Sequence, residues 1–238
     1  MMKRIMIGLE RVYDLARTPG KEHAHSSRAG CELVKVDTVR ATWRVPMPDG
    51  TECFMCAKSG GLNEEKFVVH VDANAFYRTW LASAPAFPQQ NSSDCVPRSR
   101  MPLDSKFKDA VEGFADSADS PVPLAEVRAS SEGSKGKVRI GFTNGITRTY
   151  WLLANRAPAF PVEVLGRDAA ELLHRSCGIG PAPTSFTTLF GVPHQPKPLA
   201  PQPAPAKASP ADPMRTRERL KTNEHGPEQG GRRRGRSR

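Results

Sequence analysis

The sequence predicts an α/β (α+β) fold, a mixed sheet with short helices, followed by a disordered C-terminal tail. Three observations lead there. Short runs of strand period recur, such as Val138, Ile140 and Phe142 alternating with Arg139 and Gly141. Between them lie short runs of helical period bounded by Asp, Gly or Pro. Eight prolines then fall between Pro193 and Pro213 among Ala, Gln and Lys, the composition of an extended linker.

In chain order, Ile5, Met6, Leu9, Val12 and Leu15 recur at helical spacing over residues 1–17, an amphipathic helix expected to pack on the domain, with membrane or partner contact as the alternative. Residues 18–30 read as a polar loop. Leu33, Val34, Val36 and Val39, then Ala41, Trp43 and Val45, read as one strand. Met47-Pro48-Asp49-Gly50 turns it into a returning strand, Glu52 to Lys58. After a loop over 59–63, Phe67 to Val71 is a short strand. Asp72 is placed to cap a helix from Ala73 to Ala82, with Phe76, Trp80 and Leu81 inward. Residues 85–100 read as irregular. A helix is expected over 104–118, capped by Asp104 or Ser105, with Phe107, Ala110, Val111 and Phe114 on its apolar face. Pro121 to Val127 leads into a strand, and Glu132 to Gly136 turns it back along 137–142. Asn144-Gly145 turns into a helix, Arg148 to Asn155, and Phe160 to Val164 is a further strand. Ala169 to His174 is a last short helix, ended by Gly178 and Gly180. The reading gives three parts: 1–30, a helix and loop; 31–190, the folded domain; 191–238, linker and tail.

The 238 residues carry a net charge of +10, unevenly. From Met214 to Arg238 there are nine basic residues against three Glu, +6 of the total. Arg232, Arg233, Arg234, Arg236 and Arg238 read as a DNA-binding tail through phosphate contacts, without base readout because no aromatics are interleaved, or as one that meets acidic lipids; a solubilising tail is the even alternative. No stretch nears the ~20 apolar residues of a membrane span. Five cysteines and no signal-peptide pattern indicate free thiols in a reducing compartment.

Cys53-Phe54-Met55-Cys56 is a lone C-x-x-C. With Cys31, His70 or Cys95 as further ligands it matches a zinc site, but half-buried free thiols are the better reading, because no second pair follows. His23 and His25 read as solvated loop residues. There is no G-x-x-x-x-G-K-[ST] loop and no G-x-G-x-x-G. One turn does carry chemistry. Asn144 and Gly145 deliver Ile146, Thr147 and Arg148 to a helix start, where backbone N–H groups and a guanidinium converge on an anion.

The order from Asp104 to Val164 resembles the ParB/sulfiredoxin superfamily: a helix, the edge segment Pro121-Val122-Pro123-Leu124-Ala125-Glu126-Val127, a strand, the Gly145-x-x-Arg148 turn and the strand Pro161-Val162-Glu163-Val164. Ile146 stands where sulfiredoxins carry the catalytic Cys, which excludes thiol chemistry, and Thr147 stands at their His. Phe142 to Leu153, Pro121 to Val127 and Phe67 to Asp72 are similar to the Osa/FiwA-like plasmid fertility inhibition factors. In size and in the Pro-rich, Arg-ended tail the chain looks most like the FiwA-type members.

The resemblance covers most of residues 30–175. It implies a plasmid-encoded protein of the bacterial cytoplasm, brought to the inner face of the inner membrane through its partner. It implies a block on conjugative transfer by another plasmid, and on T-DNA transfer, at the coupling-protein stage of type IV secretion. The partners implied are that coupling protein and DNA or the relaxosome. ATP and a divalent ion, Mg²⁺, are the cofactors implied, with ATPase and DNase activity. Phosphate would then sit over Asn144, Gly145, Ile146, Thr147 and Arg148. Arg148 would stabilise negative charge, and Glu112 or Glu126 would serve as base or metal ligand. The alternative is a non-catalytic inhibitor that binds the coupling protein or relaxosome. If DNA affinity resides in the tail, truncation after Leu199 removes that affinity and its salt dependence, as read by titration at two salt concentrations.

Overall fold

The computed structural model describes residues 2–18, 30–60, 65–84, 94–132 and 137–191. The chain divides into Met1–Lys197 and Pro198–Arg238, and every described residue belongs to the first unit. His23, His25, the Glu132 to Gly136 turn tip and the linker and tail lie wholly or mostly outside the described residues.

The first helix, α1, runs Met2–Arg17. The expected single strand over 33–45 is two, β1 (Glu32–Val36) and β2 (Arg40–Pro46), paired antiparallel. Asp37 makes the break. Its Oδ1 accepts the N–H groups of Val39 and Arg40 at 2.9 and 2.8 Å, a local alternative to the ladder. β3 (Glu52–Lys58) returns as expected, and β4 (Lys66–Asp72) leads directly into α2 (Ala73–Ser83). Asp72 caps α2 as predicted, its Oδ1 accepting the Ala75 N–H at 2.8 Å.

A 3-10 helix, Arg98–Leu103, follows. A bend at 104 and a turn over 105–106 follow it, so the helix expected from residue 104 starts late and α3 spans only Phe107–Ala115. Asp104 is the C-cap of the 3-10 helix, and neither Asp104 nor Ser105 is the N-cap of α3; Lys106 stands there without a side-chain cap bond. Val111, assigned to the apolar face, is exposed. β5 (Val122–Pro123), β6 (Ala125–Glu132), β7 (Lys137–Asn144), α4 (Ile146–Ala154) and β8 (Ala159–Leu165) follow the expected order. α5 is longer than expected, Arg167–Cys177, and the short β9 (Thr184–Ser185) and α6 (Phe186–Phe190) close the described chain.

The mixed sheet is divided in two. One sheet has the order β1-β2-β3-β5, the other β7-β6-β8-β4-β9. β5 is parallel to β3 and β6 is parallel to β8, whereas β6–β7 and β4–β8 are antiparallel. The segment Pro121 to Val127 therefore serves both sheets. Val122 and Pro123 pair with Met55 and Cys56, the Leu124 N–H donates to the Cys56 carbonyl at 2.8 Å, and Ala125 already pairs with Val162.

An aromatic cluster joins the helices to the five-stranded sheet. Phe76 of α2 meets Phe160 and Phe142 at ring-centre distances of 5.5 and 6.3 Å, and Trp80 stacks on Tyr150 of α4 at 5.4 Å. Phe114 of α3 stacks on Trp151 of α4 at 4.0 Å. All five cysteines are buried free thiols. Cys53 and Cys56 stand three residues apart on one strand and so point to opposite faces, which removes the C-x-x-C as a shared site. Burial pushes the Cys53 thiol up to about 12. Phe76→Ala empties the centre of the aromatic cluster. It is expected to lower stability by about 3–5 kcal/mol in chemical denaturation.

Candidate functional site

The anion-friendly turn forms where β7 ends. Gly145 sits at φ +89°, ψ 18°, the left-handed region where a side chain is strained, and α4 begins at the next residue. Its carbonyl accepts the N–H and the hydroxyl of Thr149, both at 3.1 Å. The N–H groups of Ile146, Thr147 and Arg148 are thus the first of the helix, ahead of any acceptor within it. The position also needs glycine for space. A Cβ there would lie 2.7 Å from Ala125 Cα and 2.8 Å from Arg148 Nε. The helix start is pressed directly against the strand that follows the sheet crossing.

Arg148 spends much of its guanidinium on that crossing. Nη1 donates to the Pro123 carbonyl at 2.6 Å and the Leu124 carbonyl at 3.3 Å, and Nη2 donates to Asn144 Oδ1 at 3.3 Å. Burial lowers the Arg148 pKa, and the charge of Glu126 nearby works in the opposite direction. Thr147 points to a different partner: its hydroxyl donates to Asp104 Oδ1 at 3.4 Å.

A cleft of about 1110 Å³ opens on this turn. Asn144, Gly145, Ile146, Thr147 and Arg148 all line it, so the structure brings the five sequence-selected phosphate residues together. Its carboxylates are Asp94, Asp104 and Asp109, and its bases are Arg100, Lys106 and Arg148. The structure does not bring Glu112 or Glu126 to the cleft. Glu112 is exposed on α3 in an ion pair with Lys108 at 3.4 Å. Glu126 lies on β6, opposite Asn144 in the strand register and beside Glu163 in the parallel one. The carboxylate that meets the turn is Asp104, whose sequence reading was a helix cap. Nothing local marks it, since 43 residues separate it from Thr147.

Among the described residues no three His, Cys, Asp or Glu gather to cage a metal. Arg232, Arg233, Arg234, Arg236 and Arg238 lie outside the described residues.

Residues 68–178, which include the turn, match the model of a family described as plasmid fertility inhibition factor. Protein Osa of Shigella flexneri is 36% identical over 165 residues, which is 68% of this chain and 82% of that protein. The chain belongs to the plasmid fertility inhibition factor family. The fold agrees. The crystal structure of the oncogenic suppression activity protein, a plasmid fertility inhibition factor solved as a gold(I) cyanide derivative, matches with a TM-score of 0.61 and 29% identity. That match covers 80% of this chain and 92% of that one.

Within this fertility inhibition factor, Gly145 and Arg148 hold one joint between a helix start and a sheet crossing. Gly145→Ala adds backbone strain and a contact with Ala125, and is expected to lower stability by about 1–3 kcal/mol. Arg148→Ala leaves two carbonyls without their donor and is expected to cost a similar ~1–3 kcal/mol. Thermal unfolding of both variants beside wild type checks this. An unchanged midpoint for Arg148→Ala would show that the guanidinium is not a clamp.

Proposed function

We propose that this chain blocks conjugative DNA transfer by another plasmid, and T-DNA transfer, at the coupling-protein stage of type IV secretion. We further propose that the cleft at the start of α4 takes a phosphate of a nucleotide or of DNA. The observation that carries the second reading is that Ile146, Thr147 and Arg148, the first three residues of α4, all line one cleft. Phosphate oxygens accept hydrogen bonds only, and this end of the cleft offers donors. Kinship with Osa supports the first.

ATP and Mg²⁺ fit the cleft only in a limited way. Mg²⁺ usually keeps several waters and takes one or two carboxylates plus substrate phosphates, so a three-residue cage is not required. Asp104 is the carboxylate beside the turn, and it replaces Glu112 and Glu126 as the residue to hold such an ion. A bound ion would supply charge neutralisation at the phosphate. In the proposed ATP hydrolysis or DNA cleavage the chain's own contribution is orientation: the Ile146 and Thr147 N–H groups fix the phosphate, and Arg148 supplies positive charge from its remaining N–H groups.

The second reading is a non-catalytic inhibitor that binds the coupling protein or relaxosome. It is favoured by the commitment of Arg148 to the Pro123 and Leu124 carbonyls and by the apolar Ile146 at the turn.

Thr147→Val and Asp104→Asn leave the Arg148 clamp in place and separate the two readings. Each is expected to cut ATP hydrolysis about tenfold or more, since each removes one positioning group. Conjugation frequencies in donors that express each variant then decide. Inhibition lost together with hydrolysis supports the catalytic reading, and inhibition kept without hydrolysis supports binding alone. Hydrolysis unchanged in both variants rejects this cleft as the site.

A further inference from the structure

Arg100 lines the cleft, yet its charge is already engaged by a residue of α1. Nε and Nη2 donate to the two carboxylate oxygens of Glu10 at 2.9 and 3.0 Å, the bidentate fork of an arginine on a carboxylate. The Ser99 hydroxyl adds a 3.4 Å bond to Glu10 Oε2. The Arg100 bonds hold the Glu10 carboxyl below the usual carboxylate range, so the acid is charged at neutral pH. Ile7, about one helical turn before Glu10, lines the cleft as well. α1 is therefore part of the cleft wall.

With Arg100 neutralised by Glu10, the charge of the cleft changes sign. Asp94, Asp104 and Asp109 stand against Lys106 and Arg148, and Arg148 is itself held by the Pro123 and Leu124 carbonyls. An anion that approaches α4 in this state meets a lining of net negative charge. A phosphate forms the same fork with a guanidinium as a carboxylate does, and brings more charge to it. Glu10 and a phosphate are rivals for one group. The Arg100 and Glu10 side chains are 31 and 29% exposed, so a displaced Glu10 turns to water and no charge is stranded in an apolar interior.

The rest of α1 has anchors of its own. Arg11 donates to the Ala84 carbonyl at 2.5 Å, and Asp14 accepts the Tyr77 hydroxyl and, at 3.1 Å, the Arg98 N–H. Arg78 donates to the Leu15 and Thr18 carbonyls at 2.6 and 2.9 Å. All of these follow Glu10 in the chain, so loss of the Glu10 contact loosens only the first half of the helix.

We propose that Glu10 is an autoinhibitory competitor in the cleft: it holds Arg100 until a ligand phosphate takes the guanidinium, and the exchange frees the first half of α1. This rests on the phosphate reading of the cleft, to which it adds Arg100 as a binding residue and α1 as the element that reports occupancy. By linkage, whatever weakens the Glu10 contact tightens the ligand, and the ligand loosens α1.

The test is calorimetric titration of the full chain with ATP in the absence of divalent ions. Glu10→Gln is expected to bind about threefold to fivefold more tightly than wild type, the scale of a partly exposed ion pair. In an Arg100→Gln background the same change is expected to give no gain. Glu171→Gln on α5 alters net charge equally at an exposed ion pair with Arg175 and is expected to bind as wild type does. Hydrogen exchange over residues 2–10 is expected to rise about threefold on ATP addition to wild type, and not to rise further in Glu10→Gln. An equal gain in Glu171→Gln, or a gain that persists without Arg100, would overturn the proposal. If Thr147→Val weakens ATP binding while Glu10→Gln leaves it unchanged, the cleft is the site and Glu10 is only a tether for α1. If neither wild type nor Glu10→Gln binds ATP, the phosphate reading fails and the proposal falls with it.

Discussion

One short segment has to belong to two sheets, and the architecture follows from how it does so. Val122 and Pro123 pair with β3, and two residues later Ala125 pairs with β8. At the changeover the Leu124 N–H is taken by the Cys56 carbonyl, and the Pro123 and Leu124 carbonyls both accept from one side chain. Arg148 supplies the donors. A planar, permanently charged fork can satisfy two carbonyls at once, which a lysine ammonium on a flexible stem does less well. For the fork to reach, α4 must begin almost in contact with Ala125, and only glycine leaves that space at position 145. Pro123, Leu124, Gly145 and Arg148 form one mechanical unit, and the cleft is what remains open beside it.

The same unit sets the electrostatics of the candidate site. Donor groups at a helix start are a fixed feature of any helix, but their surroundings are not. Here the cleft has three carboxylates and three bases among its lining residues, so it is polar and balanced rather than a strongly positive funnel. Arg100 is already paired with Glu10 of α1, and Arg148 is held by carbonyls. Two of the three bases of the cleft therefore have structural duties, and Lys106 is the third. A phosphate that entered would compete with those duties or use the donors left over.

Local patterns made most of the elements legible. The period-2 strands, the Asp72 cap and the Asn144-Gly145 turn are all as read, because each rests on contacts within a few residues. The errors have local causes too. Asp37 offered its side chain to Val39 and Arg40 and broke a strand that its apolar content alone would have continued. A bend and turn over 104–106 delay the start of α3, so Asp104, one of the two expected caps, ends the preceding 3-10 helix instead. Of the residues read as a candidate site, Asn144 to Arg148 are contiguous and line one cleft, while Glu112 and Glu126 do not line it and Asp104 does. Helical and strand patterns place a carboxylate on an element but not across a cleft.

The amino-acid sequence by itself determined the family, the order of strands and helices, and the glycine–arginine turn at a helix start. Those follow from backbone preferences and short-range spacing, which act before the chain is compact. Only the tertiary structure decided that the sheet is two sheets, that Arg148 clamps the crossing between them, and that Asp104 is the carboxylate at the turn. It alone set Asp14, Arg11 and Glu10 of α1 against Tyr77, Ala84 and Arg100 of the body. Each of these depends on partners tens of residues apart, and hydrogen bonds formed at that range leave no period in the sequence.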